Sequence, residues 1–277
     1  MDTFDRPKDI PPLIYGTAWK EDETQRLVRY ALGAGFWGID TANQRKHYHE
    51  AAVGEAITKS ELKRETLFIQ TKFTHLEGQD DRVPYDAGAD ISEQVRQSFH
   101  SSLGHLQTDY LDSYILHGPS ARFGLTSDDW AVWREMEAIH SDGGVKYLGV
   151  SNVSLSQLQE LYNEAKVKPM FVQNRCFAQM GWDKQVRQFC LDNGMIYQGF
   201  SLLTANRFVF SEPRILKIAK SEVMTPAQVI FCFAIQSGML PLTGTTDLSH
   251  MDEDMECLSF ELSSDDMKFI EGMVVHG

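Results

Sequence analysis

The chain has 277 residues, an ordinary apolar content of 42% and a formal charge of −13. That acidity disfavours nucleic acid and anionic membrane surfaces as partners, since both attract an excess of Lys and Arg. No apolar stretch approaches the roughly 20 residues that span a bilayer, and the N-terminal MDTFDRPKDIPP has no apolar signal core, so a cytoplasmic protein is expected.

Short β-type runs alternate regularly with longer amphipathic stretches. The strand candidates are Leu13–Ala18, Phe36–Asp40, Leu67–Phe73, Leu111–His117, Lys146–Asn152, Met170–Asn174, Met195–Phe200 and Met239–Gly244. Helical patterns begin near Glu21, His49, Ile91, Asp128, Ser154, Asp183, Glu212 and Thr225, with one more near Ser263. Ser154-x-x-Gln157 and Thr225-Pro226-Ala227-Gln228 read as capping boxes, the second with Pro at the first helical position. Gly33, Gly35, Gly143, Gly144, Gly194 and Gly238 fall where a left-handed helix stop is expected. Strands separated by helices run parallel, and eight such units close into a barrel of about 250 residues. The expectation is one α/β domain over the whole chain, a (β/α)8 TIM barrel. A doubly wound open sheet is the alternative, but no GxGxxG follows the first strand. Cys176, Cys190, Cys232 and Cys257 show no CxxC spacing and read as reduced, mostly buried thiols. Two connections are long, Thr74–Asp90 and Gly118–Ser127, and both lie on the face where a barrel keeps its chemistry.

Four apolar runs end in reactive side chains: GFWGID at Asp40, LFIQTK at Lys72, LDSYILH at His117, and KYLGVSN at Ser151 and Asn152. In a parallel barrel those ends converge on one mouth. Tyr48 lies shortly after the second strand. A phenol is a poor acid near neutrality, but an adjacent ammonium favours the phenolate and a carboxylate keeps that ammonium charged. A tyrosine tuned in this way can protonate a carbonyl oxygen that is becoming an alkoxide, and a neutral histidine can hold the same oxygen. Hydride for such a reduction must come from a cofactor. The pair His47-x-His49 has no evident third or fourth metal ligand, so no metal is expected.

In these segments the chain resembles the aldo-keto reductases over nearly its whole length. GIDTA at Gly38–Ala42, QTKF at Gln70–Phe73 and LDSYILHGP at Leu111–Pro119 are similar to the segments carrying that family's catalytic aspartate, lysine and histidine. GVSNVS at Gly149–Ser154, KPMFVQN at Lys168–Asn174, GFSLL at Gly199–Leu203 and PLTGTT at Pro241–Thr246 are similar to its cofactor segments. The resemblance implies Asp40, Tyr48, Lys72 and His117 as the catalytic set. It also implies that Ser151, Asn152 and Gln173 hold a nicotinamide carboxamide, with Phe200 stacked on the ring. Further cofactor contacts are implied at Gly16, Thr17, Ser201, Leu203, Gly244, Thr245, Thr246, His250, Glu253 and Asp254. The cofactor so implied is NADPH, and the substrate a small-molecule aldehyde or ketone.

Two departures from the family pattern stand out. Tyr48 follows Asp40 by eight residues, farther than in the family, and counting back from Val53-Gly54 puts His47 at the family position. Tyr48 is the segment's sole phenol and is assigned the acid role on that ground. The second departure is that no Lys or Arg occurs between Lys220 and Lys268, where Asp247, Asp252, Glu253, Asp254 and Glu256 make an acidic stretch that repels a 2′-phosphate. This leaves NADH open as the cofactor, with Arg207 or Lys220 as cations that could reach in. Trp19, His75, Tyr85 and Phe123 are the expected substrate-lining residues, and the close of the chain at Gly277 predicts an open pocket. No heptad seam is visible, so a monomer is expected. Two other functions fit parts of the pattern. One is a cofactor-binding regulatory subunit with little turnover; the other is a Schiff-base lyase using Lys72.

Overall fold

The computed structural model describes residues 7–273. Eight parallel strands close into a barrel in chain order: β1 (Ile14–Gly16), β2 (Gly38–Asp40), β3 (Phe68–Phe73), β4 (Leu111–Leu116), β5 (Val145–Ser151), β6 (Phe171–Arg175), β7 (Ile196–Phe200) and β8 (Leu240–Thr243). β8 pairs back onto β1 through Ile14–Leu242 and Tyr15–Thr243, which completes the ring. Every strand expected from the sequence is present; β5 and β6 are each shifted by one residue and the other six are trimmed at one or both ends.

Ten helices among the described residues wrap the barrel: α1 (Thr24–Gly33), α2 (Glu50–Thr58), α3 (Ile91–Leu106), α4 (Ser127–Ser141), α5 (Leu155–Glu164), α6 (Lys184–Asp192), α7 (Pro213–Ser221), α8 (Pro226–Gln236), α9 (Leu248–Glu256) and α10 (Ser264–Glu271). The boxes at Ser154 and Thr225 form as expected, and a third, Thr126 with Asp129, starts α4. No single helix among the described residues is long and apolar enough to cross a membrane. All four cysteines are free and buried.

α9 is a correction to the sequence reading, which treats Asp247–Glu256 as an acidic phosphate-side stretch without a helix. Its apolar signal is sparse: Met251 and Met255 turn inward among acids, while Asp247 caps the first turn by accepting from the Ser249 N–H at 2.9 Å. α6 begins next to Asp183 as expected, without a side-chain cap, because the Asp183 carboxylate accepts from Asn174 and Tyr197, each at 3.0 Å. The left-handed stop fails at Gly33, which is the last helical residue of α1, so that Gly35 alone makes the turn there, and it fails again at Gly144. Of the adjacent glycines after α4, Gly143 takes the left-handed stop at φ +79°. Gly144 does not; a Cβ there would lie 2.8 Å from the Phe99 ring, so close packing keeps it small.

Two apolar layers result. Phe68, Ile115, Phe171, Ile196 and Leu240 fill the barrel interior with Ile14, whereas Ile69, Phe73, Tyr114, Val150 and Val172 face outward under the helices. Strands buried on both faces need this two-residue alternation to be apolar on both sides. Gly149 is glycine because a Cβ would sit 2.3 Å from Ile115 and 2.7 Å from the Phe171 carbonyl. Above the apolar plug the inward positions turn polar, at Gln70 and Lys72 on β3, Gln173 on β6 and Gln198 on β7. All four are buried.

Candidate active site

Asp40 ends β2 and lies at the centre of this polar layer. Both of its oxygens accept from Lys72 Nζ, at 2.7 and 2.6 Å, and the Thr41 carbonyl takes a third ammonium proton at 2.8 Å. Lys72 is wholly buried. Burial pulls its pKa down, and the Asp40 carboxylate opposes that. With all three ammonium protons engaged, Lys72 has no lone pair to offer a carbonyl carbon, which argues against Schiff-base chemistry.

Asp40 Oδ1 also accepts from Gln70 Nε2 at 2.7 Å and Gln173 Nε2 at 3.0 Å. Gln70 and Gln198 exchange a reciprocal pair of amide hydrogen bonds at 2.9 Å, and Gln173 donates to the same Gln198 oxygen at 3.0 Å. Both amide protons of Gln173 therefore point into the barrel. Its oxygen is left as the group that can accept from a carboxamide above.

Tyr48 comes from the loop between β2 and α2. The loop is pinned by Asn43 Nδ2 to the Ser98 carbonyl at 3.0 Å, Gln44 Nε2 to the Gly78 carbonyl at 2.6 Å, and Gln79 Nε2 to the Asn43 carbonyl at 3.0 Å. So held, the half-buried Tyr48 ring has Lys72 Nζ 5.1 Å from its centre and the His117 ring 6.0 Å away, edge-on. His47 is directed elsewhere, its ring 4.0 Å from that of Trp19. The structure thus brings Asp40, Tyr48, Lys72 and His117 together and leaves His47 beside the cluster.

The electrostatics differ from the expectation of a lowered tyrosine pKa. Burial, then the Asp40 charge, pushes the Tyr48 hydroxyl well above the usual phenol value. The reason is that Lys72 is already neutralised by Asp40, so little net positive charge reaches the phenol. Burial, with Lys72 and His47 nearby, holds His117 down at about 3, so its ring is neutral near pH 7.

On the cofactor side, Ser151 Oγ donates to the Gln173 carbonyl at 2.6 Å, and Asn152, in a left-handed conformation at φ +53°, donates to the His117 carbonyl at 2.8 Å. Phe200 ends β7, half-exposed over the interior plug, and Ser201 beyond it is left-handed at φ +56°. Leu203, half-buried, follows in the same turn. Gly16 pairs with Asp40 across the first two strands, and Thr17 Oγ1 donates to the Asp40 carbonyl at 2.9 Å. Thr17 is thereby committed to the backbone.

At the end of β8, Gly244, Thr246 and His250 are exposed, while the Thr245 carbonyl accepts from the Tyr15 hydroxyl at 2.8 Å. Asp254 does not reach the mouth. It is buried and accepts from Thr243 Oγ1 at 2.6 Å, and the Glu253 carbonyl is taken by Gln228 at 2.8 Å.

Lys20 is a residue that sequence reasoning missed. It comes from the β1–α1 loop, is buried, and donates to the Gly244 carbonyl, which places an ammonium at the β8 loop. Burial lowers its pKa to about 8. Its signal was present, since Trp19-Lys20 follows the end of β1 on the catalytic face. Gln70 and Gln198 were also missed. They stand two residues before Lys72 and Phe200, and so share their inward side.

The substrate-lining expectations divide. Trp19 and Phe123 are 68% and 80% exposed on mouth loops. His75 and Tyr85 turn into the protein: His75 Nε2 is 3.0 Å from Asp129, and the Tyr85 hydroxyl donates to the Thr74 carbonyl at 2.8 Å. Beside Asn152 a groove of about 580 Å³ is lined by Arg122, Arg175, Phe177 and Met180. A second cavity of about 670 Å³ lies against Lys8, Trp37, Asp112 and Lys146 and holds none of the four clustered residues.

The family model "Aldo/keto reductase family" matches residues 12–274. The glyoxal reductase of Bacillus subtilis is 30% identical over 253 residues, covering 91% of this chain and 84% of the relative. The prostaglandin-E(2) 9-reductase of Oryctolagus cuniculus is 28% identical, covering 95% and 88%. Among solved structures, an aldo-keto reductase from a Medee basin deep-sea metagenome superposes with a TM-score of 0.84 at 25% identity, covering 97% of this chain and 93% of that one. An aldo/keto reductase from Brucella melitensis gives 0.82 at 27% identity and 95% coverage of both. A match spanning nearly all of the barrel, joined to the acid–base cluster at its strand ends, places the chain in the aldo/keto reductase family of oxidoreductases.

Proposed function

We propose that the protein reduces an aldehyde or ketone to the alcohol, with Tyr48 delivering the proton. The observation that carries this reading is the position of the Tyr48 ring between Lys72 and His117. A phenol held protonated by its surroundings is a donor awaiting a stronger base, and an alkoxide forming on the carbonyl oxygen is such a base. Neutral His117 orients that oxygen by hydrogen bonding. Asp40 keeps Lys72 fixed and charged beneath the phenol.

A reduced nicotinamide dinucleotide supplies the hydride when bound. The residues present fit that group: the Gln173 oxygen and Asn152 for the carboxamide, Phe200 for the ring, and Lys20 with Thr245 and Thr246 for the phosphates. Family resemblance favours NADPH. The acidic α9, with no cation of its own, leaves NADH as the competitor. The 30% identity to a glyoxal reductase makes small aldehydes and dicarbonyls the first substrates to try.

The test is loss of the reduced-nicotinamide absorbance on adding carbonyls, alongside calorimetric titration with NADPH and NADH separately. Tight cofactor binding without turnover across a broad carbonyl panel would defeat the reductase reading and favour a regulatory subunit.

A further inference from the structure

Thr74 immediately follows β3, and its hydroxyl lies 2.7 Å from His117 Nδ1. The two residues are held side by side by the backbone, since the His117 N–H donates to the Phe73 carbonyl at 2.9 Å. Thr74 is itself clamped: its carbonyl accepts from the Tyr85 hydroxyl at 2.8 Å and from Gln79 Nε2 at 3.3 Å. The side chain is buried.

His117 is neutral near pH 7, so one ring nitrogen carries a proton and the other accepts. Two arrangements satisfy the 2.7 Å contact. If Nδ1–H donated to Thr74, the threonine hydroxyl proton would have no acceptor, because His117 is the only partner of Thr74 Oγ1 among the described residues. A buried hydroxyl proton without a partner costs about 1–3 kcal/mol. If Thr74 donates to Nδ1, that cost vanishes and the proton must sit on Nε2. Among the described residues Nε2 has no partner, so it is the nitrogen available to a ligand.

From this we infer that Thr74 is a positioning residue that fixes His117 as the Nε2–H tautomer, making the imidazole a hydrogen-bond donor to the substrate's carbonyl oxygen. The inference rests on the carbonyl-reductase reading above. It assigns Thr74 a role within that site, on the end of β3 beyond the lysine. In the opposite tautomer Nε2 would present a lone pair to an oxygen that is gaining negative charge, and the interaction would be repulsive.

The experiment compares wild type, Thr74→Val and Thr74→Ser in two measurements. ¹⁵N-edited NMR of the imidazole of the cofactor-free protein reports the tautomer without reference to activity. Steady-state kinetics with the best carbonyl found reports kcat and KM separately. The expected result is an Nε2–H spectrum in wild type and Thr74→Ser, and mixed or Nδ1–H signals in Thr74→Val. The kcat of Thr74→Val should fall about tenfold to a hundredfold, the scale at which groups that orient a functional histidine act, with Thr74→Ser restoring it. An Nδ1–H signal in wild type, or full kcat in Thr74→Val with an unchanged spectrum, overturns the assignment. If wild type turns over no carbonyl, the functional reading fails and the spectra still decide the role of Thr74.

Discussion

Asp40 grips Lys72 through both carboxylate oxygens, at 2.7 and 2.6 Å, with the lysine wholly buried. A buried pair of this kind is poor evidence for stability, since its desolvation offsets its attraction, but removing one partner strands a charge. Lys72→Met and Asp40→Leu should each lose about 3–5 kcal/mol of unfolding free energy, while the double variant recovers much of it. Denaturant unfolding of the three variants measures this. Strictly additive losses would mean that the two groups are not coupled.

Tyr48→Phe should keep the wild-type melting temperature and lose about a hundredfold to ten-thousandfold in kcat, the range for a general acid. His47→Phe should lose far less, because the His47 ring packs on Trp19 while it is the Tyr48 ring that lies edge-on to His117. The two rates measured side by side choose between neighbours that spacing alone could not separate. A larger loss for His47→Phe would move the acid role from Tyr48 to His47.

That ambiguity shows where the sequence stops informing. Asp40, Lys72 and His117 were legible because each terminates an apolar run, and parallel strands carry such ends to one rim. Tyr48 was not, because its position depends on Asn43, Gln44 and Gln79 bonding to the distant carbonyls of Ser98, Gly78 and Asn43. Local spacing contains nothing of these. Tyr85 and His75 were placed in the pocket because they are aromatic and lie on a long loop, and composition does not say which way a loop side chain turns. α9 hid for a related reason: two methionines among acids make a faint helical stripe. The glutamine layer could have been read, since Gln70 and Gln198 follow from strand alternation once Lys72 and Phe200 are known to face inward.

Asp254 supplies a stability prediction. Burial raises its pKa to about 7, with the Thr243 hydroxyl opposing. A carboxyl whose folded pKa lies above its unfolded value favours folding while protonated. Its contribution is complete below about pH 4 and is lost as pH rises towards 7. Asp254→Asn keeps an acceptor for Thr243 without the charge. The variant should be more stable than wild type at pH 8, by on the order of 2 kcal/mol, and indistinguishable near pH 4. Equal stabilities at both pH values would show that Asp254 titrates normally.

Lys20 makes the corresponding prediction for binding. Its ammonium, buried against the Gly244 carbonyl, has a pKa lowered to about 8 by desolvation. The charge that attracts a dinucleotide's phosphates is therefore present below that value and lost above it. Each phosphate–ammonium contact in a partly dry site strengthens binding only while the proton is on. Cofactor affinity should be flat from pH 6 to about 7.5 and then weaken, by up to about tenfold per pH unit, as the ammonium of the free protein deprotonates. Lys20→Met should bind more weakly at pH 6.5 and show no such decline. Calorimetric titration with NADH across this range distinguishes Lys20 from the cofactor's diphosphate bridge, which stays fully ionised throughout. A 2′-phosphate would itself titrate at about pH 6. A decline that persists in Lys20→Met would transfer the effect to another group, and an affinity unchanged at pH 6.5 would remove Lys20 from the phosphate site.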